Sequence, residues 1–389
     1  MVQSKLNASS TGKVGLTSYG AFIAAAVGAS IGLGNIWKFP YESGLHGGGM
    51  FLAVYLFAVL LVAFPLIMAE SMLGRLGRGN PVQSMRDLCA ANGLTPLWQM
   101  IAWLGLITSV LVFSFYSVVA GWTLYYILYS VSGAFVDMPA EFVKNSFGAL
   151  LSNQPQLILW HSVFVLSVVI VLAFDIRQRL ERLMRWLMPI FLTMLGLLIW
   201  MVKDIADLTL AYRFMFTIDW QYFNAELVVA AISQALFSLS VGMGIIIMYG
   251  AYLSEHRPLF TGSVIVTVFD TLAAILTSVL IFSIVFAYGL QPNSGVGLIF
   301  ESLPVAFSQM PEYSVFTSTL FFSLVYVAAL FSGFALLEPS IVRLTQRFKL
   351  TRRQAAWLVG LGVWLLGLAC VYSFNHPNQQ AQHSQKYGH

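Results

Sequence analysis

Long hydrophobic stretches alternate with short polar connections along almost the whole chain. A helix that crosses a lipid bilayer needs about 20 mainly apolar residues. Nine stretches of the sequence fit that description: residues 16–39, 50–73, 97–131, 157–174, 183–202, 225–253, 261–290, 314–341 and 355–374. The hydrophobic pattern therefore predicts an all-α membrane protein with nine transmembrane helices.

The composition agrees with lipid as the main solvent of the protein surface. Of the 389 residues, 58% are hydrophobic and only 9% are charged, whereas a soluble domain carries about 25% charged residues. The net charge of +4 is too small to indicate a nucleic-acid partner. Cys89 falls in a predicted cytoplasmic segment and Cys370 in a predicted helix, so no disulfide is expected.

The distribution of basic residues predicts the orientation in the membrane. If the N-terminal segment 1–15 is cytoplasmic, 15 of the 20 Lys and Arg residues lie on the inside and 5 outside. Basic residues are enriched in cytoplasmic loops. We therefore expect a multi-pass protein of the plasma (inner) membrane with a cytoplasmic N-terminus. The outer connection 291–313 carries apolar residues between prolines and glycines, which predicts a re-entrant or surface-packed segment rather than a solvated linker.

Two glycine-rich segments of the same pattern interrupt the first and sixth predicted spans. Ser30–Gly34 reads SIGLG and Ser240–Gly244 reads SVGMG. Two glycines in one turn favour unwinding, since each costs about 1 kcal/mol against alanine in a helix. An unwound main chain is tolerated in a membrane only where it lines a cavity, and a matched pair of broken helices is typical of a secondary transporter. Close packing of helices through small residues is the alternative for either segment alone.

Polar residues lie at the same predicted depth as the two breaks. Asn35 follows the first break, Ser238 precedes the second, and Asp270 interrupts an otherwise apolar span. A carboxylate there is costly unless it is paired or bound to a cation, so a sodium ligand is the favoured interpretation. A protonated structural Asp and a helix-to-helix hydrogen bond are the alternatives. Glu70, near the cytoplasmic end of the second span, is expected to cap or pair with neighbouring backbone.

The chain resembles the neurotransmitter:sodium symporter family. The resemblance rests first on residues 28–41, GASIGLGNIWKFPY, and the three glycines at 47–49. Further similar segments follow in the family's order at residues 75–81, 181–189, 234–244, 297–311 and 328–339. It implies a leucine-transporter-type fold of two inverted repeats. The first repeat is residues 16–202, with helices 1–5. The second, residues 225–374, holds helices 6–9 and lacks helix ten onward.

The resemblance also implies a sodium-coupled symporter of a small, hydrophobic or aromatic amino acid, and a set of site residues. The first sodium site would use Ser30, Asn35, Ser238 and Asp270. The second would use Gly28, Ile31, Ala328 and Ser332. The substrate pocket would be formed by Ala29, Gly32, Gly34, Val112, Tyr116, Phe237, Ser240, Met243, Ser332 and Leu336. Lys38 would serve as an outer gate or extend to the headgroups.

Three departures from the family pattern qualify this expectation. Asp270 stands where many members have Asn, and its fixed charge predicts independence of chloride. Phe331 stands where the family has Thr or Asp, which removes one oxygen ligand of the second sodium site. The polar tail 375–389 resembles no part of the family, and its position predicts a truncated gene product.

Other functions were weighed against transport. A non-transporting membrane remnant or an amino-acid-binding subunit would also fit a chain that lacks helix ten. A membrane enzyme is not expected, since no cluster of His, Cys and carboxylate residues with metal-ligand spacing occurs. The expected partners are an amino acid, sodium as the coupling ion and the lipid bilayer, with no other cofactor or metal and no nucleic acid.

Overall fold

The computed structural model describes residues 19–136, 138–174, 177–253, 257–292, 297–310 and 313–374. The predicted cytoplasmic segment 1–15 and the polar tail 375–389 lie outside the described residues. All regular structure in the described part is helical.

Eight α-helices form the first part of the chain. They are α1 Tyr19–Ser30, α2 Phe39–Leu45, α3 Gly49–Ala58, α4 Phe64–Gly77, α5 Pro81–Ala91, α6 Gln99–Val131, α7 Ala140–Ser152 and α8 Gln154–Ala173. Wider π-helical turns at Gly34–Lys38 and Val59–Ala63 join α1 to α2 and α3 to α4, and a 3₁₀ turn at Pro96–Trp98 precedes α6.

Eight more follow. They are α9 Arg177–Val202, α10 Leu208–Phe216, α11 Ala225–Ser238, α12 Ile245–Tyr252, α13 Leu259–Ala287, α14 Leu303–Ser308, α15 Ser314–Phe348 and α16 Arg352–Ser373. A 3₁₀ turn at Trp220–Tyr222 precedes α11, and a π-helical turn at Leu298–Ser302 runs into α14.

Six helical stretches in the described part are long and apolar enough to cross a membrane. They are Gly49–Gly77, Pro96–Val131, Gln154–Ala173, Leu259–Ala287, Ser314–Phe348 and Arg352–Ser373. The predicted spans 16–39 and 225–253 are each divided, as the glycine pattern predicted. The structure thus has several long apolar helices, and the figure of nine crossings stays a prediction.

The helical part of the connection 291–313, Leu298–Ser308, is built into the protein. It directs Leu298, Phe300 and Phe307 into the core, where each is almost fully buried. The Tyr126 hydroxyl donates to the Phe300 carbonyl at 2.7 Å. The expectation that Leu298, Ile299, Phe300, Val305 and Phe307 are not left in solvent is confirmed.

Each of the three π-helical turns ends two residues before a proline. The turns end at residues 38, 63 and 302, and the prolines are Pro40, Pro65 and Pro304. Proline lacks a backbone N–H, and its ring crowds the carbonyl one turn earlier. A turn widened by one residue relieves that crowding without ending the helix.

Helices α4 and α12 cross so closely that each carries a glycine at the contact. A Cβ atom at Gly74 would overlap the carbonyl oxygen of Ile247, and one at Gly250 would overlap that of Ser71. Small residues allow membrane helices to approach in this way. The contact holds α12, the helix after the second break, against the first half of the protein.

We expect Gly250→Ala to destabilise the folded protein. The added methyl group has no room at the α4–α12 crossing, and overpacking costs roughly 1–3 kcal/mol. The measurement is the apparent melting temperature of purified protein in detergent. Gly362→Ala is the matched control, because a Cβ atom there meets nothing within 4 Å. It should leave the melting temperature unchanged or raise it. Equal melting temperatures for the two variants would contradict a close contact between α4 and α12 at Gly250.

Candidate functional site

The first break, between α1 and the π-helical turn, exposes backbone N–H groups that side chains bind. The Gly32 N–H donates to Oδ1 of Asn35 at 3.0 Å, and the Leu33 N–H donates to the Tyr116 hydroxyl at 3.4 Å. Backbone groups left without partners in a membrane cost several kcal/mol each. Tyr116 lies on α6, so the broken segment is tied to a neighbouring long helix.

Carbonyl groups just after the first break are satisfied by other helices. Nε2 of Gln234, on α11, donates to the Gly34 carbonyl at 2.9 Å. Oγ1 of Thr277, on α13, lies 3.0 Å from the Asn35 carbonyl oxygen, and shares its proton with the Ala273 carbonyl of its own helix at 2.7 Å. Both side chains are fully buried. Sequence reasoning missed these two residues, although a buried Gln and Thr in apolar spans do require hydrogen-bond partners.

The second break, residues 239–244 between α11 and α12, depends on left-handed backbone conformations. Ser240, Gly242 and Gly244 have φ angles of 55°, 81° and 73°, a region that glycine enters without steric cost. The Gly242 N–H donates to Oε1 of Glu70 at 2.7 Å. The expectation that Glu70 caps or pairs with neighbouring backbone is met only in part, because its partner is the main chain of the second break, 172 residues away along the sequence.

A fully buried carboxylate lies where the two breaks meet. Asp270, on α13, accepts hydrogen bonds from Nδ2 of Asn35 and from Oγ of Ser238, each at 2.8 Å. Ser30 lines the adjacent cavity, and its hydroxyl donates to the Val27 carbonyl at 2.9 Å. Three of the four predicted ligands of the first sodium site are therefore in direct contact, and their role as ligands stays a prediction.

A small cavity of about 20 Å³ separates the breaks from α6 and α15. Its lining is formed by Ser30, Gly32, Gly34, Val112, Tyr116, Phe237, Ser238, Ser240, Met243, Ser332 and Leu336. Nine of the ten predicted substrate-binding residues are among them. The tenth, Ala29, does not line the cavity; its carbonyl accepts from Oγ of Ser332 at 3.3 Å. Contact of these residues with a substrate stays a prediction.

The predicted second sodium site lies between α1 and α15, which pack together. Ser332, on α15, points its hydroxyl at the first break, with its Oγ 3.5 Å from the Ile31 carbonyl oxygen. Gly28 and Ala328 are buried on the two helices. Phe331 is fully buried and adds no oxygen atom. The Ile31 carbonyl and the Ser332 hydroxyl are therefore close together at this contact, and ion binding by the four predicted residues stays a prediction.

One end of the cavity is covered by Phe237 and Lys38. The Lys38 ammonium lies 5.2 Å from the centre of the Phe237 ring, a cation–π distance. Its Nζ is 3.9 Å from Oε1 of Glu42, one turn along the same helical segment. Oε2 of Glu42 is in turn 3.6 Å from Nε2 of His46. Lys38 is therefore paired within its own segment, a partner that sequence reasoning did not identify.

A second charged cluster lies between α12, α15 and α16. Nη1 of Arg352 and the Tyr252 hydroxyl both donate to Oε1 of Glu338 at 3.0 Å, and Nη2 of Arg352 pairs with Oε2. Glu338 is only 6% exposed. Because both nitrogens of the Arg352 guanidinium pair with the Glu338 carboxylate, this is a strong, bidentate ion pair between α15 and α16. The signal in the sequence was a carboxylate near the end of a long apolar span, which needs a cation.

Comparison with known proteins gives a consistent picture. The model of the Sodium:neurotransmitter symporter family matches residues 16–143 and 153–375. An uncharacterized sodium-dependent transporter of Bacillus subtilis strain 168, YhdH, is 29% identical over 353 residues, covering 91% of this chain and 77% of that protein. An uncharacterized sodium-dependent transporter of Haemophilus influenzae is also 29% identical over 353 residues, covering 89% and 77%.

A solved structure shares the whole architecture. The crystal structure of MhsT in complex with L-phenylalanine superimposes with a TM-score of 0.86 at 34% identity, covering 93% of this chain and 81% of that one. The chain therefore has a leucine-transporter-like fold, as the sequence resemblance implied.

We expect Gly32→Ala to destabilise the protein and Ser332→Gly to relieve the effect. A Cβ atom at Gly32 would overlap the Ser332 hydroxyl and lie 3.1 Å from the Tyr116 hydroxyl. The measurement is a thermal double-mutant cycle on purified protein. Ser332→Gly alone is the control, because it costs about 1 kcal/mol of helix propensity. Strict additivity of the two substitutions would show that the residues are not in contact.

Proposed function

Because the chain belongs to the sodium:neurotransmitter symporter family, we propose that it carries a hydrophobic or aromatic amino acid across the membrane together with sodium. The family membership itself makes the chain a sodium-dependent transporter and a multi-pass membrane protein, and not an enzyme. The observation that carries the finer proposal is the buried Asp270, which touches Asn35 and Ser238 beside an apolar cavity.

The oxygen atoms around Asp270 suit a hard cation such as sodium. A carboxylate, two hydroxyls, a side-chain amide and backbone carbonyls are the ligand types that such ions prefer. In the structure the Asn35 NH₂ group faces Asp270, and the amide oxygen faces the Gly32 N–H. The amide oxygen has two lone pairs, so Asn35 can accept the Gly32 N–H and bind a cation at the same time.

The lining of the cavity supports an apolar side chain on the substrate. Val112, Phe237, Met243 and Leu336 supply hydrocarbon, ring and thioether surfaces, and no Lys, Arg, Asp or Glu is among the lining residues. Buried charges on a substrate side chain would therefore lack a partner. MhsT, whose structure holds L-phenylalanine, supports the same substrate class. Met243 can adapt its shape, so the proposal extends to several apolar amino acids.

The two broken helices provide groups for the charged ends of an amino acid. The Tyr116 hydroxyl accepts from Leu33 N–H and can use its own proton to bind a substrate carboxylate. Carbonyl oxygens near Ala29, Phe237 and Ser240 would hold the amino group. Sodium at Asp270 would balance the buried negative charges, which couples ion binding to substrate binding.

Alternating access would open one end of this cavity at a time. We place the Lys38–Phe237 pair at the outer end and the cluster of Glu338, Arg352 and Tyr252 at the cytoplasmic end, from the distribution of basic residues. The helices that carry the breaks would rock, together with α3–α4 and α13, against the remaining helices. Each sodium ion that enters down an inside-negative potential of 100 mV contributes about 2.3 kcal/mol.

Uptake by proteoliposomes tests the proposal directly. We expect phenylalanine, tryptophan or leucine to accumulate when a sodium gradient is imposed, and glutamate and lysine to remain outside. Replacing sodium by potassium on both sides should abolish accumulation. No uptake of any amino acid would reject transport. Sodium-dependent binding of an amino acid without uptake would identify an amino-acid-binding subunit or remnant instead.

We expect Asp270→Asn to remove the stabilisation of the protein by sodium. A ligand that binds only the folded state raises the melting temperature, and the variant loses the charge that attracts the ion. The measurement is the melting temperature in sodium chloride against potassium chloride. Asp219→Asn is the control, since the side chain of this half-buried residue accepts the Gln221 N–H and Asn can do the same. Equal sodium stabilisation of wild type and Asp270→Asn would contradict the site.

We also expect transport that does not require chloride. The fixed charge of Asp270 supplies the negative charge near sodium that a bound anion would otherwise provide. Uptake should be unchanged when gluconate replaces chloride on both sides of the proteoliposome membrane. Transport that falls to background in gluconate would show that Asp270 does not fill this role.

A further inference from the structure

Three arginine side chains converge where α5, α6 and α15 meet. Arg343 and Arg347 lie one turn apart near the end of α15, and Arg86 lies on α5. Arg86 and Arg347 lie close enough to Arg343 for their positive charges to act on it. The Asp87 carboxylate is 3.9 Å from Nε of Arg86 and accepts from Nε2 of Gln83 at 2.6 Å. The cluster therefore keeps an excess of positive charge.

Arg343 is held in place without a hydrogen bond. Its guanidinium carbon lies 5.1 Å from the centre of the Trp103 ring. Its Nε is buried and has no hydrogen-bond partner within the described part of the chain. A buried donor without an acceptor is costly. The cation–π contact with the ring holds the guanidinium in place, while the nearby like charges favour the approach of an anion.

An apolar surface open to lipid continues from this cluster. The first half of α6 exposes Met100, Trp103, Leu104 and Ile107, each by 44% or more of its surface. Tryptophan side chains are enriched at membrane–water interfaces. The arginines thus lie at the polar end of an apolar helix face that is open to lipid. A phospholipid bound there would place its phosphate beside the arginines and its acyl chains along the helix.

We propose that Arg86, Arg343 and Arg347 bind the phosphate of an anionic phospholipid whose acyl chains lie along the exposed face of α6. Guanidinium groups bind phosphate oxygens through paired, charge-assisted hydrogen bonds. The site is separate from the transport cavity, because none of the residues that line that cavity takes part. The proposal needs only the membrane location of the protein and is independent of its substrate.

Native mass spectrometry and thermal melting in a neutral detergent test the proposal. Purified protein is titrated with phosphatidylglycerol, with phosphatidylcholine of the same acyl chains, and with sodium phosphate. We expect phosphatidylglycerol to remain bound and to raise the melting temperature. Phosphatidylcholine and inorganic phosphate should do neither at the same concentration. Loss of one charge-assisted hydrogen bond should weaken phosphatidylglycerol about tenfold in Arg343→Gln and in Arg347→Gln.

Arg353→Gln is the matched control, because it removes one exposed positive charge on the neighbouring α16 without touching the cluster. It should bind phosphatidylglycerol as wild type does. Arg343→Lys keeps the charge but loses the planar group over Trp103, and should bind with intermediate strength even if the Gln variants fold poorly. Equal binding of phosphatidylcholine, or full phosphatidylglycerol binding by Arg343→Gln and Arg343→Lys, would overturn the proposal. Equal stabilisation by inorganic phosphate would show that the cluster binds a soluble anion and not a lipid, which would also overturn the proposal.

Discussion

The structure depends on one constraint, which is that main-chain groups released by a broken helix must find partners inside the protein. Lipid offers no hydrogen bonds, so each break requires side chains from elsewhere in the chain. Tyr116 and Asn35 bind amides of the first break, Gln234 binds a carbonyl just after it, and Glu70 binds an amide of the second. The breaks are therefore possible only in the assembled helix bundle, and in return they connect its two halves.

The constraint also explains why polar residues concentrate at one depth in so apolar a chain. A helix that runs unbroken satisfies its own backbone and can be apolar on every side. Around the breaks, by contrast, each freed group calls for a buried hydroxyl, amide or carboxylate with its own desolvation cost. Once such groups are present, a cavity between them can bind an ion and the charged ends of a small molecule. The binding chemistry is thus a consequence of how the fold satisfies its backbone.

The sequence predicts features that depend on neighbouring residues. It does not predict the hydrogen bonds and ion pairs that join residues far apart in the chain. Paired glycines predicted both breaks, and the isolated Asp270 in an apolar span predicted a buried polar site. Gln234 and Thr277 escaped notice because their partners lie 200 and 242 residues away. The ion pair of Glu338 with Arg352 escaped for another reason: a charge near a helix end looks like any interfacial residue until packing shows that it is buried. The family resemblance supplied most of the cavity residues, which periodicity alone could not have selected.

Asn35 has a special position in this network, because its one amide group serves both the cavity and the carboxylate. Its oxygen holds the Gly32 N–H of the first break, and its nitrogen donates to Asp270. The oxygen has a second lone pair, so a cation bound between it and Asp270 would be held by the same amide that fixes the first break. An ion there would stabilise the broken segment that lines the cavity and would thereby favour substrate binding. Such coupling is reciprocal by thermodynamic necessity.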